Sequence, residues 1–279
     1  MKKSLCMFAA LFVIPWLTIA GQSSAGEEEA SSGSISYAQR PQAQSEQERE
    51  DYLAASSATT GATLQAAAED FAARYPESKL RVYLYAQTMQ QYQVENNAPR
   101  LLAMADKVLA LDPNHSVALA LSATVLADNL QAGDRDREHE IQEIRRNASR
   151  AIYGSDKGFI APASATLEEV ALYRSAIRSM AYSALGIMKL KTGDDAGAEK
   201  DLITALALNK LRPDPYLWYH LALAQDHRRH YSAALNSVEQ ALQLASSNPH
   251  LQKLAEIEHE RLSGLAGRAP RSGGGAQRQ

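Results

Sequence analysis

His220, Asp226, His227 and His230 come nearest in this chain to a set that could do chemistry. Imidazole nitrogens and carboxylate oxygens are zinc ligands, and a metal held by three of them can activate water. His220 and His227 stand seven residues apart and share a helix face, while His227 and His230 stand three apart. Two features oppose a metal site. His230 falls where a turn is expected, and Arg228 and Arg229 interleave the set, whereas a structural zinc needs four converging donors. Basic side chains at a helix C-terminus also have a simpler use, because they complement the helix dipole. A solvated helix end is therefore expected here, and a metal-dependent module around His220, His227 and His230 is the lesser alternative.

Other chemistry lacks its signatures. His139-Glu140 and His259-Glu260 open like a metalloprotease helix but lack the second histidine. The sequence contains no Gly-x-Ser-x-Gly elbow and no phosphate loop. Cys6 is the only cysteine and lies in the apolar N-terminal segment, so a chain cleaved after that segment has no thiolate ligand, disulfide or cysteine nucleophile. No catalytic residue, metal, cofactor or small-molecule substrate is expected. The charge runs Asp134–Glu138 and Glu143–Arg146 fit an exposed helix laced with ion pairs better than a dedicated partner patch.

A repeated pattern is more informative. Tyr182-x-x-Leu185-Gly186 is followed by Gly193, Ala198, Leu202 and Ala205. Trp218-x-x-Leu221-Ala222 is followed by Tyr231, Ala234, Val238 and Ala241. The second frame starts 36 residues after the first, near the ~34-residue period of helix–turn–helix repeats. Leu185 and Leu221 point inward, and Gly186 and Ala222 leave room for a neighbouring helix. Ala198 and Ala205, like Ala234 and Ala241, lie seven apart with Leu202 or Val238 between them. Large beside small is what ridge-into-groove packing needs when two helix axes lie close together. Gly193 should stop the first helix and begin the turn.

This set resembles the tetratricopeptide repeat family. A third copy runs from Tyr85 to Leu111-Asp112-Pro113, with Val108 where alanine is usual, and a fourth starts at Leu119 with Ser122 and Ala123 in the paired positions. A half-repeat ends in Phe71-x-x-x-Tyr75-Pro76-x-Ser78, which is similar to bacterial envelope proteins of this class. The resemblance covers roughly residues 46–263. It implies an all-α chain, an α-solenoid of antiparallel helix–turn–helix repeats. The alternative is a non-repetitive, alanine-rich helical bundle.

Residues 1–25 read as a secretory signal peptide: Lys2 and Lys3, an apolar run from Leu5 to Ala20 broken by Pro15, then Ser23-Ser24-Ala25. An uncleaved membrane anchor is the competing reading, although 16 apolar residues fall short of a spanning helix. The expected location is periplasmic or secreted. Cleavage removes two lysines, leaving 27 basic residues against 32 acidic ones and moving the net charge from −3 to −5. A mildly acidic domain argues against nucleic acid, and the export signal is the expected contact with a membrane.

Residues 26–45 are polar and read as a disordered linker. Helices are expected over about 62–75, 79–94, 98–111, 116–131, 135–152 and 166–192, a further hairpin from Asp214-Pro215, and a last helix over 249–263. Tyr75-Pro76, Asn96-Asn97 and Asp112-Pro113-Asn114 mark ends. Ser116 is expected to cap a helix that Gly133 closes. Gly154, Gly158 and Pro162 interrupt the pattern over 154–165, where Phe159-Ile160 should pack as a structural patch or serve as a binding loop. Thr166-x-x-Glu169 reads as a capping box. The Gly- and Arg-bearing tail 264–279 reads as disordered.

In the repeat family the first helices line the concave face. That resemblance implies a groove offering Gln90 and Gln93, Thr124 and Asp128, Ile187 and Lys191, and Tyr219, Leu223, Asp226 and His227. The lysine position of the family's carboxylate clamp holds Ala86, Ala120, Ser183 or Tyr219 instead, so a segment with apolar anchors fits better. The expected function is a non-catalytic exported scaffold binding a protein or peptide, with cell-envelope assembly as the setting that the resemblance implies. A self-associating structural subunit is the other reading carried forward.

Overall fold

The computed structural model describes residues 41–155, 166–209 and 214–267. The expected signal peptide, the linker up to residue 40, nearly all of the 154–165 interruption and the tail beyond Gly267 lie outside them. Every regular element among the described residues is an α-helix, eleven in number. In chain order these are α1 (Glu46–Ser56), α2 (Gly61–Arg74), α3 (Arg81–Val94), α4 (Ala98–Leu111), α5 (Ser116–Asn129) and α6 (Arg137–Gly154). Then come α7 (Leu167–Thr192), α8 (Asp195–Leu208), α9 (Pro215–His227), α10 (Tyr231–Leu244) and α11 (Pro249–Ala266). Adjacent helices pack on one another within two compact units. One holds α1–α4; the other holds α5, α6, α7 from Ala171 onward, and α8–α11.

In the first unit, Phe71 of α2 is fully buried and meets the Tyr52 ring edge-on at 6.1 Å. The Tyr75 hydroxyl donates to Asp51 at 2.6 Å, tying the end of α2 to α1 and holding the Asp51 carboxyl below its ordinary range. Gly61 opens α2 under the Tyr92 ring of α3, where an added Cβ would lie 2.4 Å from a ring carbon. Its N–H donates to Glu95 at 2.7 Å. Gln87 of α3 reaches back to the Ser56 carbonyl at 2.9 Å, so α1 and α3 touch across α2.

The second unit keeps the large-beside-small pattern. Ala198, Leu202 and Ala205 on α8, and Ala222, Ala234, Val238 and Ala241 on α9 and α10, are fully buried. Gly186 of α7 faces Leu202, and a Cβ there would stand 2.7 Å from Leu202 Cγ and 3.4 Å from the Ala198 carbonyl. The glycine therefore lets α7 and α8 approach this closely. Ser179 of α7 donates to the Ala205 carbonyl at 2.8 Å and satisfies a buried hydroxyl.

One turn is built three times. Asn96, Gly193 and Arg229 all have positive φ, at 53°, 84° and 62°. Their N–H groups donate three residues back, to Gln93, Leu190 and Asp226. The next N–H, of Asn97, Asp194 or His230, donates five residues back, to Tyr92, Lys189 or Gln225, at 2.8–2.9 Å. This paired closure is the Schellman motif, which satisfies carbonyls at a helix end. Asn97 and Asp194 then cap the following helix with their side chains, on Arg100 N and Gly197 N. His230 occupies the same place without a side-chain cap bond. The hairpins α3–α4, α7–α8 and α9–α10 thus share one backbone joint.

Three boundaries differ from expectation. His115, not Ser116, caps α5: its Nδ1 accepts from Ala118 N at 3.2 Å, and Ser116 is buried as the first helical residue. The same helix stops at Asn129, short of Gly133, because the following Leu130 turns extended and buries its side chain. And α6 runs through Gly154 to a cap at Ser155, since a glycine in the last turn interrupts little. The Thr166/Glu169 capping box is formed in both directions, at 2.8 and 3.2 Å. Asp214 caps α9 through Tyr216 N at 2.9 Å, with Pro215 at its first position.

Candidate functional site

The expected groove residues scatter in depth. In the first unit Gln90 is half-buried, whereas Gln93 is buried in α3. In the second unit Thr124 turns its hydroxyl back onto the Ala120 carbonyl at 3.0 Å, and Ile187 is buried. Ala120 and Ala127 on the same helix face are fully buried. Tyr219 and Leu223 are half-buried on α9, with Tyr219 packed against the cluster formed by Ala222, Ala234, Val238, Ala241, Ala255 and Leu262. Burial raises the Tyr219 hydroxyl pKa above its ordinary value, and nearby Glu258 adds to that.

Asp226 is engaged. Arg261 of α11 pairs with it and with Glu258, and these contacts hold the guanidinium firmly charged. His227 bonds Asp195 of α8 at 2.9 Å, while Arg228 and, at 3.6 Å, His230 face Glu199. His220 lies apart from them and close to Lys191. The three histidines therefore serve separate partners, and among the described residues no three His, Cys, Asp or Glu side chains gather to hold a metal.

Asp128 and Lys191 are brought together. Lys191, near the end of α7, donates to the backbone carbonyls of Ala127 and Asp128 at 2.8 and 2.5 Å. These are carbonyls of the last turn of α5, which lack helical partners of their own, so the ammonium acts as a C-terminal cap supplied by another helix. Asp128 is half-buried near the end of α5. Burial, reinforced by Asp214 and opposed by Lys191, pushes its pKa up to about 7. His220 moves the other way. Burial and the Lys191 charge lower it to about 4, against the pull of the Tyr216 carbonyl one turn back. Its Nδ1 is shut off from water with no hydrogen-bond partner. The Tyr216 hydroxyl accepts from Asn248 at 2.8 Å, tying the start of α9 to the cap of α11.

Sequence reasoning named Asp128 and Lys191 separately as groove residues. It missed Asp214 and His220 as their neighbours, because Asp214 read as a cap and His220 as a possible ligand. No protein-family model matches the chain, and no curated protein matches it at a significant level. No helix among the described residues is long and apolar enough to cross a membrane.

Proposed function

We propose that the chain is a non-catalytic scaffold of the tetratricopeptide-like type, whose helical repeats stack as an α-solenoid and bind a protein or peptide segment in a concave groove. The observation that carries the reading is the shared backbone joint at Asn96, Gly193 and Arg229, the last two 36 positions apart. Contacts between alternate helices support it as well: α1 with α3, α5 with α7 through Lys191, and α9 with α11 through Asp226 and Arg261. Stacked hairpins bring alternate helices side by side in this way, and such arrays present extended binding faces. The N-terminal segment, read as an export signal, supports a location in the periplasm or outside the cell. Its resemblance to envelope repeat proteins extends the proposal to assembly of cell-surface machinery.

The test is a crosslinking pull-down from native envelope with the exported chain and its Tyr219→Ala plus Leu223→Ala double variant. Recovery of one partner by the first and its loss by the second is expected. Equal recovery by both would place binding away from this face, and no specific partner in either would remove the scaffold reading.

A further inference from the structure

The turn between α9 and α10 departs twice from its two counterparts. At the left-handed position the others carry Asn96 and Gly193, types that tolerate positive φ, whereas this turn carries Arg229 at φ 62°. At the capping position the others use the side chains of Asn97 and Asp194, whereas His230 makes no cap bond. Both departures cost local stability. What the turn holds instead is a run of four basic residues, His227, Arg228, Arg229 and His230, all exposed. Three of them face α8: His227 bonds Asp195 at 2.9 Å, Arg228 pairs with Glu199, and His230 stands 3.6 Å from Glu199. Arg229 is the exception, for among the described residues no hydrogen bond, ion pair or ring contact holds its guanidinium.

We propose that this turn is an interaction surface, on which Arg229 receives a carboxylate from an acidic segment of a protein partner. Local rules are broken without internal compensation mainly where a residue serves something outside the fold. The helix dipole does not account for Arg229, because His227 and Arg228 already occupy the C-terminal end of α9 and Arg229 lies beyond it.

The chemistry of the turn selects the partner. A guanidinium presents parallel N–H donors that match the two oxygens of a carboxylate. Phosphate would match them as well, but Asp195 and Glu199 stand beside the turn, and the chain as a whole carries a net charge of −3. These charges would repel a polyanion such as nucleic acid. A segment with one or two acids instead brings only its own carboxylates to a cation that has no partner among the described residues. The surface stands on the turn alone, whether or not the groove binds a segment. In a scaffold it would add a charged contact to the one made in the groove.

Chemical-shift titration of the full chain at low salt tests this, with acetyl-Gly-Glu-Glu-Gly-amide as the probe and its dilysine counterpart as the control. Saturable shifts of the Arg229 Nε–H and of the amides over 227–231 are expected with the acidic peptide alone. Arg229→Gly should weaken this binding by about two- to fivefold, the range of one exposed charge pair. That variant should be at least as stable as the wild type, which separates lost binding from lost folding. Arg229→Glu should abolish binding, and Arg145→Ala, which removes an exposed arginine of α6, should leave it unchanged. Absence of saturable shifts, equal affinity in Arg229→Gly, or equal binding of inorganic phosphate at the same residues would each overturn the proposal. So would self-association that is lost in Arg229→Gly, since the occupant would then be a second copy of the chain. The probe carries no apolar anchor, so failure here is distinct from failure of the pull-down.

Discussion

Arg229 occupies a backbone conformation that suits glycine. Its φ is 62°, and the same joint elsewhere uses Asn96 or Gly193, the types that tolerate left-handed geometry. A branched-free but Cβ-bearing residue there costs roughly 1–2 kcal/mol. None of the described hydrogen bonds or ion pairs uses the Arg229 guanidinium in return. Arg229→Gly removes that strain, while the greater freedom of glycine in the unfolded chain takes back part of the gain. The expected outcome is a stabilisation of roughly 0.5–1 kcal/mol, read as a higher urea midpoint with an unchanged slope. Gly193→Ala is the mirror experiment and should lower the stability by about 1 kcal/mol, read as a lower midpoint. If both substitutions are neutral, the three turns do not share the conformation described for them.

At the scale of the element, the spacing between helices is set by small residues. Within α7, replacing Gly186 by alanine should help the helix by about 1 kcal/mol through propensity alone. The added Cβ would stand 2.7 Å from Leu202 Cγ, however, and overpacking typically costs 1–3 kcal/mol, so Gly186→Ala should destabilise on balance. Combined with Leu202→Ala, which opens space at the same point, the alanine at 186 should become stabilising. A double-mutant cycle in urea would show this sign change, and additive effects would mean the two helices are not in contact there. This level was largely legible in the sequence, because the Gly186/Leu202 and Ala222/Val238 pattern is a packing requirement written in residue size. The turn at Gly193 was legible for the same reason, since glycine announces positive φ. Arg229 hid the equivalent joint, because its side chain carries no sign of the backbone beneath it. The cap at His115 was missed for a related cause: Ser116 is the commoner capping type, but it is buried as the first helical residue. The meeting of α5, α7 and α9 was hidden more deeply. Asp128, Lys191, Asp214 and His220 lie on three helices, and no spacing along the chain records that they meet.

For the whole molecule, the proposed solenoid and a cooperative helical bundle make different predictions about how damage spreads. In a stacked array each repeat is held mainly by its neighbours, so stability is close to a sum of repeat and interface contributions. In a bundle with one shared core, loss at one place lowers the stability of every element together. Leu262 on α11 is fully buried in the cluster it shares with Ala222, Ala234, Val238, Ala241 and Ala255. Leu262→Ala should cost 2–5 kcal/mol by the usual range for a buried leucine. If the repeats stack, exchange protection should fall most in α10 and α11, less in α9, and little in α5 and α6, although all of these belong to the same compact unit. A uniform fall from α5 to α11 would instead describe a single cooperative core and remove the solenoid from the proposal. The graded result would also suit a binding groove for a physical reason. A face assembled from near-independent repeats can adjust locally around an extended segment, whereas a single cooperative core would have to deform as a whole.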